Sequence, residues 1–521
     1  MTDNAQTLEQ IWESLKAGPR PTLTQLFDAS PDRVEALTRR LDWPTGGVGE
    51  AAESTGMRLD FSKTHLDDAT LQLFEQLEQV CGFSEAREAL FSGGVVNVTE
   101  GRAANHGAMR GSGTDAETEE AFALLARMGM LVEAIHDGVL GKVKHLIHIG
   151  IGGSALGPAL AVDALTRDLA KVDVHVVSNI DGLALEQAFA ACDPATTLIA
   201  VASKTFTTIE TMTNAASALA WLEKEGVSDP SGRVVALTAS PEKAVEWGVD
   251  ETRILPFPES VGGRYSLWSS IGFPVALAIG MEEFREFLTG AQAIDTHFLQ
   301  SDGRANAPLL AAFAEQYYAR IRGCQTRAVF AYDERLALLP DYLQQLEMES
   351  NGKSVTASSE PVDYPTAPIS WGGVGTDAQH AVFQLLHQGT HLVPVDFIAS
   401  VAPGDDLDPA HHKILLTNCF AQGAALMKGG NMSADGKDPA RAFAGDRPST
   451  TFLLDDLDPA TLGALIAFHE HRTFANAVLM GINPFDQFGV ELGKKMAKDI
   501  DAGEGDFDAS TKALMQAAGL N

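Results

Sequence analysis

The amino-acid sequence predicts an α/β protein with two parallel-sheet domains and helical segments at both ends of the chain. Its 521 residues exceed one typical domain and suffice for two hydrophobic cores. Short apolar runs alternate with helical stretches in two separate regions, a pattern typical of β-α units around a parallel sheet. The predicted segments are a helical N-terminal cap (1–118), a first sheet domain (119–285), a second sheet domain (286–500) and a helical tail (501–521).

Each segment follows from its own pattern. Up to about residue 141, apolar residues recur at helical spacing, as in 71–77 and 121–125. Residues 429–450 are rich in Gly, Asp, Pro and Ser and predict an exposed loop, after which helical spacing resumes. The short apolar runs predict strands at 146–149, 172–177, 198–201 and 234–237 in the first sheet domain, and at 327–331 and 391–397 in the second, where 379–387 is predicted to be a helix.

Composition excludes several classes of protein. The 38 basic and 70 acidic residues give a formal net charge of −32, which repels nucleic acid and anionic membranes. No apolar run is long enough for a membrane span and the first 18 residues lack a signal-peptide pattern, so we expect a cytoplasmic protein. The four cysteines form no Cys-x-x-Cys pair, which indicates neither a zinc site nor a disulfide framework. An anionic substrate would need a local site built from amides, hydroxyls and cations.

A glycine loop follows the first predicted strand. Residues 150–158 read GIGGSALGP, and a strand, a glycine turn and a helix start together direct free N–H groups toward an anion. Gly150, Gly152 and Ala155 also satisfy the dinucleotide fingerprint G-x-G-x-x-G/A. The next strand, however, ends in Val-Ser-Asn without the acid that would bind ribose hydroxyls. A small phosphoester is the favoured ligand, and a purely structural turn remains an alternative.

A second polar loop lies one β-α unit later. Residues 203–208 read SKTFTT, so five of six side chains carry a hydroxyl or an ammonium where a helix begins. This composition predicts a phosphate cradle, and the alternative is ordinary helix capping with a solvated lysine. Nucleotide binding of the Walker type is not supported, because the triplet Gly352-Lys353-Ser354 has Glu347 where that motif requires glycine.

Two acids are candidates for proton transfer. In QQLEMESNGK (344–353), Glu347 and Glu349 stand two residues apart, and either could move a proton between carbons next to a carbonyl. Spacing does not choose between them, and surface exposure is the usual fate of glutamate. His380 could transfer protons near neutral pH or be a surface residue. Arg264 and Lys494 stand in polar surroundings, where each could instead pair with a nearby acid.

Together these blocks resemble the glucose-6-phosphate isomerase family. SVGGRYSLWSSIG (260–272) and FDQFGVELGK (485–494) look like the two signature patterns of that family, and the similarity extends over about residues 50–500. The resemblance implies two sugar-isomerase (SIS-type) domains, each an α-β-α sandwich with a parallel-rich sheet. It also implies a homodimer that interconverts glucose 6-phosphate and fructose 6-phosphate through a cis-enediolate, without metal or redox cofactor.

The resemblance also assigns roles to residues. It selects Glu349 as the base that moves a proton between C1 and C2, and it implies that Arg264 stabilises the enediolate. His380, contributed by the partner subunit, and Lys494 would open and close the sugar ring. The implied substrate-binding residues are Gly153, Ser154, Ala155, Ser203, Lys204 (through its backbone), Thr205, Thr208, Gln345 and Gln487.

The chain departs from the family pattern at two places. Asp377-Ala378 replaces the frequent Asn-Gly before Gln379-His380, and Ala155 replaces a frequent acid. These changes bear on rate and pH dependence rather than on the reaction. A nicotinamide dehydrogenase and a non-catalytic sugar-phosphate sensor are the two alternative functions; the missing ribose-binding acid opposes the first, and the presence of Glu349, His380 and Lys494 together opposes the second.

Overall fold

The computed structural model describes residues 7–45, 53–167 and 170–520. The chain divides into two compact units, Met1–Pro484 and Phe485–Asn521. The strands within the described residues are β1 Thr38–Thr45, β2 Glu53–Asp60, β3 His145–Ile149, β4 Asp173–Val177, β5 Thr197–Ala202, β6 Val234–Thr238, β7 Ile254–Pro256, β8 Thr326–Tyr332, β9 Ile369–Val374, β10 Val395–Ser400, β11 Gly430–Asn431, β12 Ala442–Phe443 and β13 Ser449–Leu454.

Helices connect and cover these strands. The helices of the first unit are α1 Leu8–Ala17, α2 Leu23–Ala29, α3 Arg33–Ala36, α4 Asp68–Val80, α5 Phe83–Phe91, α6 Asp115–His136, α7 Leu156–Thr166, α8 Gly182–Ala191, α9 Ile209–Lys224, α10 Pro241–Trp247, α11 Phe273–Ile279, α12 Met281–Gln300, α13 Ala307–Gln316, α14 Leu339–Leu343, α15 Asp377–Gln388, α16 Pro409–Lys428 and α17 Pro459–Met480. The second unit contains α18 Glu491–Asp501 and α19 Ala509–Ala518. Among the described residues, no helix has the length and apolarity needed to cross a lipid bilayer.

The first sheet is entirely parallel and has the order β4-β3-β5-β6-β7. Its central strands β5 and β6 are buried along their whole length, which explains their continuous apolar sequence. The strand that follows β3 in the chain, β4, lies on one side of β3, whereas β5 and the later strands lie on its other side. The carboxyl ends of β3 and β5 therefore flank the crevice where ligands bind in open α/β sheets.

The second sheet has the order β1-β2-β13-β10-β8-β9. Strands β13, β10, β8 and β9 are parallel, and β1 and β2 extend the sheet as an antiparallel pair. The helix α17 is almost completely buried and carries the sequence His469-Glu470-His471-Arg472 into the interior of the first unit. Two parallel-rich sheets with helical connections confirm the α/β class that the sequence predicts.

One feature of the N-terminal region departs from the sequence prediction. Residues 1–118, predicted to be helical, include β1 and β2, which join the second sheet rather than form a purely helical cap. Leu41 and Trp43 are buried, as are Met57 and Leu59, with exposed residues between them. This two-residue alternation is the signal of a half-buried strand. The predicted domain boundaries themselves remain a prediction.

Candidate active site

The first glycine loop connects β3 to α7 and packs against a distant segment. A Cβ atom on Gly153 would lie 2.1 Å from the carbonyl carbon of Gly263, so only glycine permits this approach. A Cβ atom on Gly152, which has a φ of +56°, would lie 3.0 Å from the Nε2 atom of Gln345. The loop thus touches both the Arg264 segment and the segment that carries the two candidate acids.

Ser154 and Ala155 complete this loop. A ring nitrogen of His148, in β3, donates a hydrogen bond to the Ser154 carbonyl oxygen at 2.7 Å. Burial lowers the pKa of His148 to about 4, so its ring is neutral and positions the loop without adding charge. Ala155 is 1% exposed and directly precedes α7. Residues 150–155 therefore bring the first, unpaired amides of a helix to the carboxyl end of β3.

The second loop lies at the adjacent strand end. Strands β3 and β5 pair directly, so residues 203–208 emerge beside the first glycine loop. The hydroxyls of Ser203 and Thr208 lie 3.1 Å apart, and those of Thr205 and Thr207 lie 2.8 Å apart. The helix α9 begins directly after Thr208. Hydroxyl groups therefore surround the start of a helix, which is suitable for binding a phosphate.

Lys204 points its ammonium away from this loop. Its Nζ atom donates to the carbonyl oxygens of Glu259 at 2.6 Å and Val261 at 3.2 Å. Burial, reinforced by the nearby Arg102 guanidinium, lowers the pKa of Lys204 to about 8. Because the side chain is held by backbone carbonyls, the group it can offer to an anion is its backbone N–H.

The two candidate acids lie in different surroundings. Glu347 is 3% exposed and bonds to both Arg327 and Arg472, and it also accepts a hydrogen bond from the Ser370 hydroxyl. Burial alone would raise the pKa of Glu347, but the two guanidinium groups outweigh it and lower the pKa to about 2. A carboxylate held in this way is a poor base for a sugar carbon. The structure therefore favours Glu349 over Glu347 on physical grounds that residue spacing did not provide.

We expect acid to destabilise the fold progressively as the pH falls below the ordinary carboxyl range. Glu347 and Asp295, which bonds to Arg110 and His471, both have pKa values lowered to about 2 from ordinary values of 4.5 and 3.8. A lowered pKa contributes stability that is complete above the ordinary value and is lost as the pH falls toward the folded-state value.

Denaturation midpoints measured across this acid range test that expectation. The midpoint should decrease steadily between about pH 4.5 and 2, with a smaller decrease in Glu347→Gln, which lacks one of the two groups. A midpoint that is constant over this range would contradict the assignment of both ion pairs.

Glu349 lies at the edge of the buried core. Its side chain is 23% exposed, its Oε2 atom accepts a hydrogen bond from Gln345 Nε2 at 3.0 Å, and the same oxygen is 3.4 Å from Arg264 Nη1. Gln345 and Arg264 are also the neighbours of the first glycine loop. The carboxylate is therefore placed beside that loop while one part of it stays accessible to a substrate.

A π-helical turn, Gln344–Glu349, directs these side chains. It follows α14 without a break, and its wider spacing places Gln345 and Glu349 on one side and the buried Glu347 on another. Single π-helical turns inside helices occur frequently at functional sites. The sequence predicted that this segment carries the catalytic acid, but it did not indicate the π-helical turn that orients the side chains.

Arg264 is rigidly held. Its side chain is 2% exposed, its Nε atom donates to Ser350 Oγ at 2.6 Å, and its Nη2 atom donates to the Pro484 carbonyl oxygen. Ser350 Oγ also lies 2.9 Å from the Tyr265 hydroxyl. Sequence reasoning missed Ser350 and Tyr265 as positioning residues, although both directly follow a predicted site residue. These contacts fix a cation beside Glu349.

His380 forms no bond with this cluster, and Gln487 and Lys494 belong to the second unit. His380 is exposed near the start of α15, and it has no hydrogen bond or ion pair with any described residue. In the second unit, Gln487 is exposed and Lys494 pairs with Glu491 at 3.1 Å on the surface of α18. The participation of His380, Gln487 and Lys494 in the site remains a prediction.

Comparison with known proteins shows the family of this chain. A family model described as phosphoglucose isomerase matches residues 60–515. The chain is 74% identical to a glucose-6-phosphate isomerase from Erythrobacter litoralis, over 98% of both chains, and 66% identical to one from Novosphingobium aromaticivorans, also over 98% of both. A crystal structure of a glucose-6-phosphate isomerase from Chlamydia trachomatis superposes with a TM-score of 0.86 at 29% identity, covering 99% of each chain. This chain therefore belongs to the phosphoglucose isomerase family.

Proposed function

We propose that the protein interconverts D-glucose 6-phosphate and D-fructose 6-phosphate, in glycolysis and gluconeogenesis. One observation supports this function above the others: Glu349, a partly exposed carboxylate, lies between Gln345 and the buried Arg264, and both neighbours touch the first glycine loop. A base, a fixed cation and an anion cradle therefore adjoin one another, in a chain that is 74% identical to a named glucose-6-phosphate isomerase.

In the proposed mechanism Glu349 removes the proton from C2 of the open-chain aldose and returns it to C1. The electron pair of the C–H bond forms the enediolate, and a proton moves between the two oxygens to give the ketose. One carbon is oxidised while its neighbour is reduced, so the reaction needs no external oxidant or reductant. A positioned carboxylate contributes a factor of about 10²–10⁴ to such a proton transfer.

Arg264 is proposed to stabilise the negative charge of the enediolate. Its guanidinium is already held by Ser350 and the Pro484 carbonyl, so it does not need to reorganise during the reaction. A preorganised cation in a buried site stabilises developing charge far more effectively than a solvated one. Gln345 holds the orientation of the base and, with Gln487, is proposed to line the sugar.

The phosphate is proposed to bind at the carboxyl ends of β3 and β5. The proposed ligands are the backbone or side chains of Gly153, Ser154, Ala155, Ser203, Lys204, Thr205 and Thr208. We expect inorganic phosphate to compete with the sugar phosphate, and we expect Ser203→Ala or Thr208→Val to weaken this competition about tenfold, which corresponds to one charge-assisted hydrogen bond.

Inhibition constants for phosphate test this cradle. Thr213→Val is the matched control, because Thr213 is an exposed threonine later in α9 and is not among the proposed ligands. Equal losses in all three variants, or no inhibition of the unmodified enzyme, would place the phosphate elsewhere.

Ring opening is proposed to use His380 of a partner subunit, with Lys494, in a homodimer. Exposure of His380 and its lack of partners among the described residues support a role outside its own chain. We expect Glu349→Gln and His380→Ala dimers to be nearly inactive separately. After subunit exchange, heterodimers would contain one intact site, restoring about a quarter of the activity of the unmodified enzyme in a random mixture.

Activity before and after exchange, with dimer composition confirmed by mass spectrometry, measures this effect. Exchange without recovery would mean that His380 serves its own chain. Dilution of the unmodified enzyme below its dimer dissociation constant should likewise abolish activity on cyclic substrate.

The function itself is tested by adding fructose 6-phosphate to the purified protein and measuring the glucose 6-phosphate that forms. A nicotinamide dehydrogenase would instead change cofactor absorbance in the absence of a coupling enzyme. The structure disfavours that alternative. Asp181 is the first acid after β4, where a ribose-binding acid would stand, but its Oδ1 atom accepts a hydrogen bond from the Leu183 amide at 3.1 Å and so caps α8. Binding of fructose 6-phosphate without turnover would instead indicate a sensor. The cytoplasmic location remains a prediction from the sequence.

A further inference from the structure

Three side chains with metal-binding atoms meet at the end of the first sheet that lies away from the phosphate loops. They are His145 at the start of β3, His175 in β4 and Cys192 directly after α8, and their ligand atoms lie within 4.8 Å of one another. In the parallel pairing His145 is opposite Asp173. Alternation along each strand therefore places all these strand residues on the face that α8 covers.

One ring nitrogen of this cluster lacks an ordinary partner. The Nδ1 atom of His145 is buried and forms no hydrogen bond with the described residues, and its nearest carboxylate oxygen, Asp173 Oδ2, is 3.7 Å away. Buried polar atoms are nearly always bonded, so an orphaned ring nitrogen suggests a missing ligand. Burial, and then the neighbouring His145, lowers the pKa of His175.

The spacing suits a tetrahedral ion. Bonds of about 2.0–2.3 Å to nitrogen and sulfur place tetrahedral ligand atoms about 3.3–3.8 Å apart, so side-chain shifts of about 1 Å or less would close the site. Imidazole and thiolate groups are typical ligands of zinc, whereas calcium and magnesium bind oxygen ligands. Cys192 is 8% exposed, whereas the Asp173 side chain is 66% exposed, which leaves one side of the cluster open to solvent.

We propose that His145, His175 and Cys192 bind a divalent ion of the zinc type, with the Asp173 carboxylate or a water molecule as the fourth ligand. Cys192 is a buried free thiol, so an entering ion must displace the thiol proton to solvent. The ion would link β3, β4 and the end of α8. This site differs from the sequence expectation of no zinc site, because its ligands are distant in sequence and only the fold brings them together.

The position of the site predicts its effect. His145 stands at the amino end of β3, four residues before Ile149, so about 13 Å of strand separates it from the phosphate loop. A bound ion should therefore stabilise the first sheet domain without changing turnover. Zn²⁺ added to chelator-treated protein should raise the denaturation midpoint, because it binds the folded state.

Cobalt provides a direct test, since Co²⁺ replaces zinc and reports its ligands by absorbance. Titration of the chelator-treated, full-length protein should produce the intense visible bands of tetrahedral Co²⁺ together with a thiolate-to-cobalt charge-transfer band. Cys192→Ser should remove the charge-transfer band, and His175→Ala should weaken binding about tenfold or more. Cys81→Ser is the matched control, because Cys81 lies outside the cluster and is less buried than the other cysteines.

Isomerase activity of each variant confirms that it is folded. Retention of the charge-transfer band in Cys192→Ser, or its loss in Cys81→Ser, would overturn the assignment. Octahedral Co²⁺ absorbance alone, with no effect of Zn²⁺ on the denaturation midpoint, would also overturn it.

Discussion

Glu349→Gln is expected to lower kcat about 10²–10⁴-fold while leaving the fold and phosphate affinity unchanged. The amide is nearly the same size as the carboxylate and can still accept the hydrogen bond from Gln345 Nε2, but it cannot remove a proton from carbon. Arg264 loses only a contact of 3.4 Å and keeps its bonds to Ser350 and the Pro484 carbonyl. The loss should therefore fall on chemistry rather than on structure.

Steady-state kinetics, phosphate inhibition and thermal denaturation measure the three parts of this expectation. Exchange of the C2 proton of the substrate with solvent deuterium gives a sharper readout, because once the ring is open it requires only the base and should disappear with kcat. Glu349→Asp is the conservative control, since it keeps a carboxylate and should retain more activity than the amide. Near-normal turnover in Glu349→Gln would move the proton-transfer role to another residue.

Glu347→Gln is expected to destabilise the protein by about 3–5 kcal/mol, the usual effect of removing one partner from a buried ion pair. Arg327 and Arg472 each bond to both Glu347 and Asp396. Burial raises the pKa of the adjacent Glu315 to about 7, although Arg472 and Arg327 oppose this shift. The carboxylates of Glu347 and Asp396 therefore balance the two buried guanidinium groups, and Glu315 contributes only part of a charge. Glu347→Gln would remove one of these two carboxylates and leave the guanidinium groups without full charge compensation.

Chemical denaturation of Glu347→Gln beside Glu349→Gln is the direct comparison, because the two acids are separated by one residue and differ in burial. The first variant should lose stability, and the second should lose activity at nearly unchanged stability. A stable but inactive Glu347→Gln, together with an unstable Glu349→Gln, would reverse both assignments.

The parts of the structure that depend on neighbouring residues were predictable from the sequence. The strands β3, β5 and β6 follow from short apolar runs, and both anion loops follow from glycines and hydroxyls placed between a strand and a helix. These features depend on conformational preferences within a few residues, which a linear pattern preserves. The strands β1 and β2 could also have been predicted, because buried Leu41 and Trp43, and buried Met57 and Leu59, are each separated by one exposed residue. This alternation, however, spans only a few residues within a region of helical spacing.

Other features depend on contacts between distant residues. Spacing leaves Glu347 and Glu349 equivalent; the fold separates them, because Arg327 and Arg472 bond to the first and Arg264 and Gln345 approach the second. Likewise, His145, His175 and Cys192 form no sequence motif, yet the pairing of β3 with β4 and the packing of α8 bring them together. Burial and charge pairing set the chemistry of each group, and both arise only when the strands and helices pack against one another.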